Sequence, residues 1–314
     1  MKVLVPDAVR DTMPTIDGVE YVIIPASSPV PDEHLDAEVL VAWGQPPAVL
    51  QDAARRMTGL RLVQGFLAGP DSMVAAGFPE GVQLSSGVGL HDGPVAEHAL
   101  GMALALVRNV PLALQRMREH AWDPYLNGSV EPRGADGSVS TLNGANVTIW
   151  GFGSIASRLA PLLTALGARV TGAARSAGER HGYPVVAEDR LAATLADTDV
   201  LVMILPSTEA TTKALSAERL EELKPGALLV NVGRGSTVDE AALIGALAAG
   251  HLAGAAIDVA ATEPLPADSP LWDAPNQLIT PHVAGGRPQN PGDLLRHNID
   301  AVLRGEGDVT NPIR

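Results

Sequence analysis

One stretch in the middle of the chain, Val147-Thr148-Ile149-Trp150-Gly151-Phe152-Gly153-Ser154-Ile155-Ala156, restricts the fold more than any other. A β-prone run enters a turn of closely spaced glycines and leaves as SRLAPLLTALG, which has the apolar spacing of a helix. A second β-prone run, RVTGAA (169–174), follows. Strand, glycine turn, helix and strand in that order make a βαβ unit, and such units place their strands in a parallel sheet with helices on its faces.

The same rhythm runs on both sides of this stretch. KVLVP (2–6), EYVIIP (20–25), EVLVAW (38–43) and LRLVQG (60–65) are candidate strands, and PPAVLQDAARRMT (46–58) predicts a helix opened by proline. Residues 94–120 predict a long Ala/Leu-rich helix, kinked or broken at Pro111, and 121–144 predict an arm with little regular structure. Further strands are expected at 146–151, 200–206, 227–232, 254–259 and 277–281. A helix is expected at 237–250 with Asp239 and Glu240 in its first turn, and another at 291–305. Several of these strands are almost continuously apolar, as when helices cover both faces of a sheet. The fold class is therefore α/β.

Charge and composition remove whole classes of function. With 22 Lys and Arg against 36 Asp and Glu the net charge is −14, which repels phosphate backbones and anionic lipid, so neither nucleic acid nor a membrane surface is an expected partner. The absence of cysteine excludes disulfides, thiolate zinc sites, iron–sulfur clusters and a cysteine nucleophile. The histidine spacing suggests no metal site. No apolar segment runs for about 18 residues without Gly, Pro or charge, and MKVLVPDAVRD lacks the pattern of a signal peptide, so the expected location is the cytoplasm.

In a dinucleotide-binding turn the first glycine makes the bend, the second lets the backbone approach the pyrophosphate, and a small third residue allows helix–strand packing. Gly151, Gly153 and Ala156 occupy those positions, and the helix start would offer its free N–H groups to the phosphates. The end of the next strand distinguishes the dinucleotides, because a carboxylate there holds the ribose 2′-OH of NAD. This chain has Ala173-Ala174 and then Arg175-Ser176. Arginine can clamp a 2′-phosphate and serine can add a hydroxyl, with Arg180 and His181 close behind. NADP(H) is the expected cofactor, with NAD(H) left open.

Downstream, LKPGALLVNVGRGSTVDEAAL (223–243), GAAIDVAATEPLPADSPLWDAPNQLITPH (254–282) and HVAGG (282–286) resemble the D-isomer specific 2-hydroxyacid dehydrogenase family. So do LRLVQGFLAGPDSM (60–73), GPVAEHALGMALALVRNVP (93–111) and LPSTEATTKAL (205–215) upstream of or between them, in the family's order and over almost the whole chain. The resemblance is closest in kind to glyoxylate/hydroxypyruvate reductases. It implies reduction of a small 2-oxo acid to the D-2-hydroxy acid, with Arg234, Glu263 and His282 as catalytic residues. The chemistry is consistent: Arg234 can take a carboxylate in a bidentate pair, His282 can exchange a proton near neutral pH, and Glu263 can fix the imidazole's tautomer and stabilise the cationic ring. Taken singly, each has a plainer reading as a turn cap, a surface ion pair or a loop histidine.

The resemblance further implies cofactor contacts at Gly151, Phe152, Gly153, Ser154, Ile155, Arg175, Ser176, Leu205, Pro206, Thr211, Val232, Gly233, Asp258 and Gly285. Backbone amides of Leu67, Ala68 and Gly69 would hold the substrate carboxylate, with Arg234 and His282 as further substrate contacts, His282 at the keto group, and Phe66 and Pro70 flanking that loop. Trp43 reads equally as a pocket wall or as core, and the remaining histidines read as surface or packing residues.

Two doubly wound parallel-sheet domains are implied, a Rossmann-type nucleotide domain (94–286, with 94–120 as linking helix) inserted into a flavodoxin-like substrate domain (1–93 and 287–314). Relatives imply a homodimer, with Trp122, Tyr125 and Leu126 as candidate anchors. Two other functions stay open at this point: a dinucleotide sensor of the corepressor type, and a dehydrogenase of another small donor such as formate or phosphite.

Overall fold

The computed structural model describes residues 1–124, 126, 134, 137–304 and 308–313, so Tyr125 lies outside the described residues. The chain forms two compact units, residues 1–91 with 287–314 and residues 92–286.

Unit 1 carries β1 (Lys2–Pro6), β2 (Glu20–Ile24), β3 (Val39–Ala42), α1 (Pro47–Arg56), β4 (Leu62–Gly65), α2 (Asp71–Ala76) and β5 (Gln83–Ser85). Its five strands lie in the order β2-β1-β3-β4-β5 and all pair in parallel. The period of two along a strand divides each between two cores: Leu4, Leu40 and Val63 face one, Val3, Val5, Val39, Val41 and Leu62 the other. The second core also takes Leu295 and Ile299 from the final helix, Pro291–Arg304.

Unit 2 begins with α3 (Asp92–Val107) and α4 (Val110–Arg118). Of the two outcomes expected near Pro111, a kink or a break, the break is found, and the segment forms two helices. Asn109 takes a left-handed conformation (φ 51°) between them, and Pro111 starts the second helix instead of kinking the first. Next come β6 (Asn146–Trp150), α5 (Ser154–Ala165), β7 (Arg169–Ala173), β8 (Gly178–Arg180), β9 (Tyr183–Val186), α6 (Glu188–Leu195), β10 (Val200–Met203), α7 (Ala217–Glu222), β11 (Ala227–Asn231), α8 (Glu240–Ala248), β12 (Leu252–Ile257) and β13 (Gln277–Ile279). The final helix is α9.

The eight-stranded sheet has the order β13-β12-β11-β10-β6-β7-β9-β8, parallel except for the β8–β9 hairpin. Alternation again separates two cores, with Val147, Ile149, Val200 and Val202 on one face and Leu201, Met203, Leu229 and Ile257 on the other. Burying a Val or Leu side chain fully contributes about 1.5–3 kcal/mol relative to exposure, so these near-continuous apolar strands hold the sheet between its helices.

Several boundaries differ from expectation: β10 stops at Met203, three residues short of 206, and β13 at Ile279, two short of 281. β12 starts and ends two residues earlier than 254–259, and α8 begins at Glu240 after a 3-10 turn at Gly235–Thr237. Asp239 is the N-cap of α8 rather than part of its first turn, because its side chain accepts the Ala242 amide at 3.2 Å. Among the described residues no helix is long and apolar enough to cross a membrane, and no group of three or more His, Asp or Glu is arranged to hold a metal.

Candidate active site

In unit 2 the strand order reverses at β6, with β10 on one side and β7 on the other. Open α/β sheets bind ligands at such a switch point, beyond the carboxyl ends of their strands. Gly151 leaves β6 with φ 102°, and a Cβ there would lie 2.5 Å from the Ile204 carbonyl oxygen, so the turn requires glycine. Gly153 is different: a Cβ would meet no atom within 4 Å. The residue lines open space at the start of α5, where no side chain caps the helix. A bare twelve-residue helix start facing open room fits a pyrophosphate. Ser154 donates to Asp92 at 3.1 Å, and Ile155 is half-buried. The Phe152 side chain is buried against Tyr183, ring centroids 6.0 Å apart, which leaves only its backbone to meet a ligand.

Arg175 and Ser176 are exposed just beyond β7, and Arg175 has no hydrogen bond or ion pair among the described residues. The unpredicted hairpin β8–β9 follows. Its Arg180 donates to the Phe152 carbonyl at 3.3 Å and to the Ser176 hydroxyl at 2.7 Å, so a second guanidinium joins the glycine turn to this loop. Beyond β10, Leu205 is buried and Pro206 exposed, while the Thr211 hydroxyl donates to the Pro206 carbonyl at 2.6 Å and shapes the loop from within.

Beyond β11, Val232 and Gly233 are buried and Arg234 is half-buried in extended backbone. Two buried polar residues hold this loop: the Asn231 amide group donates to the Arg234 carbonyl at 3.2 Å, and the Thr237 hydroxyl donates to it at 2.6 Å. Gly235 brings the loop so close to the end of β12 that a Cβ would be 1.9 Å from the Ala260 carbonyl carbon. Ala260 in turn donates its amide to Glu263 at 3.0 Å. The other oxygen of that carboxylate lies 2.7 Å from His282 Nδ1.

His282 has a left-handed backbone (φ 53°), which costs a non-glycine residue about 1–3 kcal/mol and persists only where neighbours fix it. Asp258 does so. Its carbonyl accepts the His282 amide at 2.7 Å, and its carboxylate accepts Val283 and Ala284 amides at 3.0 and 2.9 Å and the Thr280 hydroxyl at 2.6 Å. Asp258 is only 2% exposed, and its carboxylate is turned into the protein. His98, read from sequence as a surface or packing residue, lies 3.0 Å from Thr280 Oγ1 behind this network. Gly285 is half-buried next to it. A cavity of about 680 Å³ with apolar walls (Val259, Leu265, Trp272, Ile279) opens beside Glu263 and His282.

Within unit 1, Leu67, Ala68 and Gly69 form a loop whose three N–H groups have no acceptor among the described residues. Phe66 is fully buried and so does not intrude on it. Trp43 is half-buried and stacks on His91.

A dinucleotide-type sheet with an arginine loop and a carboxylate–imidazole pair beyond its strand ends defines a nicotinamide-dependent oxidoreductase. Residues 100–284 match the NAD-binding domain of the D-isomer specific 2-hydroxyacid dehydrogenases, and the chain belongs to that family. A D-isomer specific 2-hydroxyacid dehydrogenase from Xanthobacter autotrophicus, solved with NADPH and MES, is 30% identical with a TM-score of 0.79, covering 100% of this chain and 97% of that one. An NADPH-dependent glyoxylate/hydroxypyruvate reductase from Sinorhizobium meliloti, solved with NADP and sulfate, is 25% identical with a TM-score of 0.80, covering 99% and 97%. A D-3-phosphoglycerate dehydrogenase from Mycobacterium tuberculosis is 32% identical over 281 residues, 87% of this chain but 48% of that protein, so the chain spans about half its length.

Sequence reasoning missed Asn231, Thr237, Thr280 and the inward turn of Asp258. Asn231 and Thr237 act within their own loop, on the Arg234 carbonyl three residues away; Thr280 and Asp258 bond partners 22 to 26 residues apart, which no local spacing signals.

Proposed function

We propose that the protein reduces a small 2-oxo acid, of the glyoxylate or hydroxypyruvate kind, to the D-2-hydroxy acid, with NADPH preferred over NADH. The observation that carries this reading is the 2.7 Å contact between His282 Nδ1 and Glu263 Oε2 beside the Arg234 loop. A carboxylate only accepts hydrogen bonds, so Nδ1 carries hydrogen in every protonation state of the ring. Nε2 is left to exchange the proton. When the ring is cationic, Nε2–H gives its proton to the keto oxygen; the ring becomes neutral while Nδ1–H stays bonded to Glu263. Bound reduced nicotinamide supplies the hydride that reaches the keto carbon. In unit 2 Arg234 offers a fixed positive charge suited to a carboxylate. In unit 1 the amides of Leu67, Ala68 and Gly69, which find no acceptor among the described residues, offer hydrogen bonds suited to a carboxylate.

Support for NADPH comes from the end of β7, where Ala173-Ala174 offer no carboxylate to a ribose 2′-OH and Arg175, Ser176 and the hairpin's Arg180 offer cationic and hydroxyl donors. Purified protein with a panel of 2-oxo acids and NADPH or NADH in parallel, followed by loss of the reduced-nicotinamide absorbance, tests the reading. Turnover favouring NADPH is expected. Tight cofactor binding without turnover of any 2-oxo acid would replace it with a dinucleotide sensor.

Assembly as a homodimer belongs to the same proposal. Val110, Leu114 and Met117 form an exposed apolar stripe on α4, and Trp122 just beyond is 94% exposed. Light scattering on Leu114→Glu should report a monomer where the wild type reports a dimer.

A further inference from the structure

The first two carbonyls of the loop that follows β4 are both held by residues 87–91. The Phe66 carbonyl lies 2.7 Å from His91 Nε2, and the next carbonyl, of Leu67, accepts the Gly87 amide at 2.7 Å. A carbonyl only accepts, so His91 Nε2 carries the hydrogen. The segment bearing both donors sits very close: a Cβ on Gly87 would be 2.4 Å from the Phe66 oxygen and 2.5 Å from its carbon.

Peptide geometry converts these two bonds into a third property. In a planar trans peptide the C=O of one residue and the N–H of the next point in opposite directions. With the Phe66 and Leu67 carbonyls drawn toward residues 87–91, the amides of Leu67 and Ala68 point away from them. These are two of the three N–H groups that find no acceptor among the described residues.

His91 is itself fixed. It is 4% exposed, and Trp43 stacks on it with ring centroids 5.5 Å apart and planes 12° from parallel. The Trp43 amide donates to Gln45 Oε1 at 2.6 Å, and Gln45 Nε2 donates to the Val41 carbonyl at 2.9 Å. The imidazole is thus referred back to strand β3.

We propose that His91 is a positioning residue for substrate binding: its Nε2–H sets the Phe66 peptide so that the Leu67 and Ala68 amides are presented to an anion, with Trp43 keeping the ring in place. The inference rests on the reading that this loop takes the carboxylate of a 2-oxo acid.

His91→Phe keeps an aromatic ring against Trp43 but removes the donor, whereas His91→Gln restores an N–H at a similar reach. Losing one buried hydrogen bond should raise the KM for glyoxylate and hydroxypyruvate about tenfold in His91→Phe, and weaken oxamate binding in calorimetry equally. The NADPH KM should not change, and kcat should change much less than the 2-oxo acid KM. His91→Gln should recover most of the loss. If His91→Phe does not fold, His91→Met provides the same comparison. An unchanged KM and oxamate affinity in a variant that merely melts earlier would overturn the positioning role and leave His91 as packing. A wild type that neither turns over a 2-oxo acid nor binds oxamate would overturn the underlying function instead.

Discussion

Glu263 and His282 meet through one 2.7 Å bond between Oε2 and Nδ1, and each is independently anchored, Glu263 by the Ala260 amide and His282 by the Asp258 carbonyl. The imidazole therefore has one nitrogen assigned and one free to react. His282→Ala should keep cofactor binding and lower kcat by about 10²-fold or more, the scale of lost acid catalysis. Steady-state kinetics with a parallel NADPH titration checks both halves; full activity would remove His282 from the chemistry.

Arg175 has no partner among the described residues, whereas Arg180 is tied to the glycine turn and to Ser176. Arg175→Ala should weaken NADPH far more than NADH in paired KM or Kd measurements. Equal losses for the two cofactors would show that Arg175 does not contact the 2′-phosphate.

The two glycines of the turn should respond oppositely to the same substitution. Gly151→Ala forces a side chain into a positive-φ position against the Ile204 carbonyl and should cost about 2 kcal/mol or more of stability by denaturant unfolding. Gly153→Ala meets open space and should unfold like the wild type. Its methyl would stand where the pyrophosphate approaches, so NADPH affinity should fall about tenfold or more. Equal stability loss in both would contradict the geometry.

Asp239 links two loops at the strand ends. Its carboxyl is held below the usual aspartate range, first by Lys213, whose Nζ is 3.0 Å away, and then by the Ala242 amide. A lowered native value contributes stability that is present above the unfolded value, near pH 4, and is lost as pH falls through the native one. Asp239→Ala should cost about 1 kcal/mol near neutral pH through the lost helix cap. Between pH 5 and pH 2, urea midpoints should converge for variant and wild type; a constant gap would exclude the titration.

The architecture was legible where the chain repeats itself. Val147–Trp150, Val200–Met203 and Ala227–Asn231 are largely apolar runs that read as interior strands, and Gly151 makes a turn that other residues cannot make. The hairpin β8–β9 was not legible, since Gly178-Glu179-Arg180 has no apolar alternation and its turn uses His181 in a left-handed conformation. Of the site, Arg234, Glu263 and His282 could be named because they lie in recognisable motifs. What fixes them could not: Asp258 reaches Val283 and Ala284 across 25 and 26 residues, and His91 reaches Phe66 across 25. Such bonds exist only once the sheet has brought strand ends together.

The division of unit 1 between two parts of the chain has a consequence for synthesis. Its core needs Leu295 and Ile299, and buried Asn298 joins Gln64, Ser85 and Thr310. Residues 1–91 therefore emerge from the ribosome without the helix that covers one face of their sheet, while residues 92–286 form an uninterrupted unit. Domains tend to fold as they are made, so here the later-made unit can fold before the first one is finished. Nascent chains stalled before residue 287 should hold a protease-resistant unit 2 beside a digestible residue 1–91 segment, an order of assembly opposite to the order of translation.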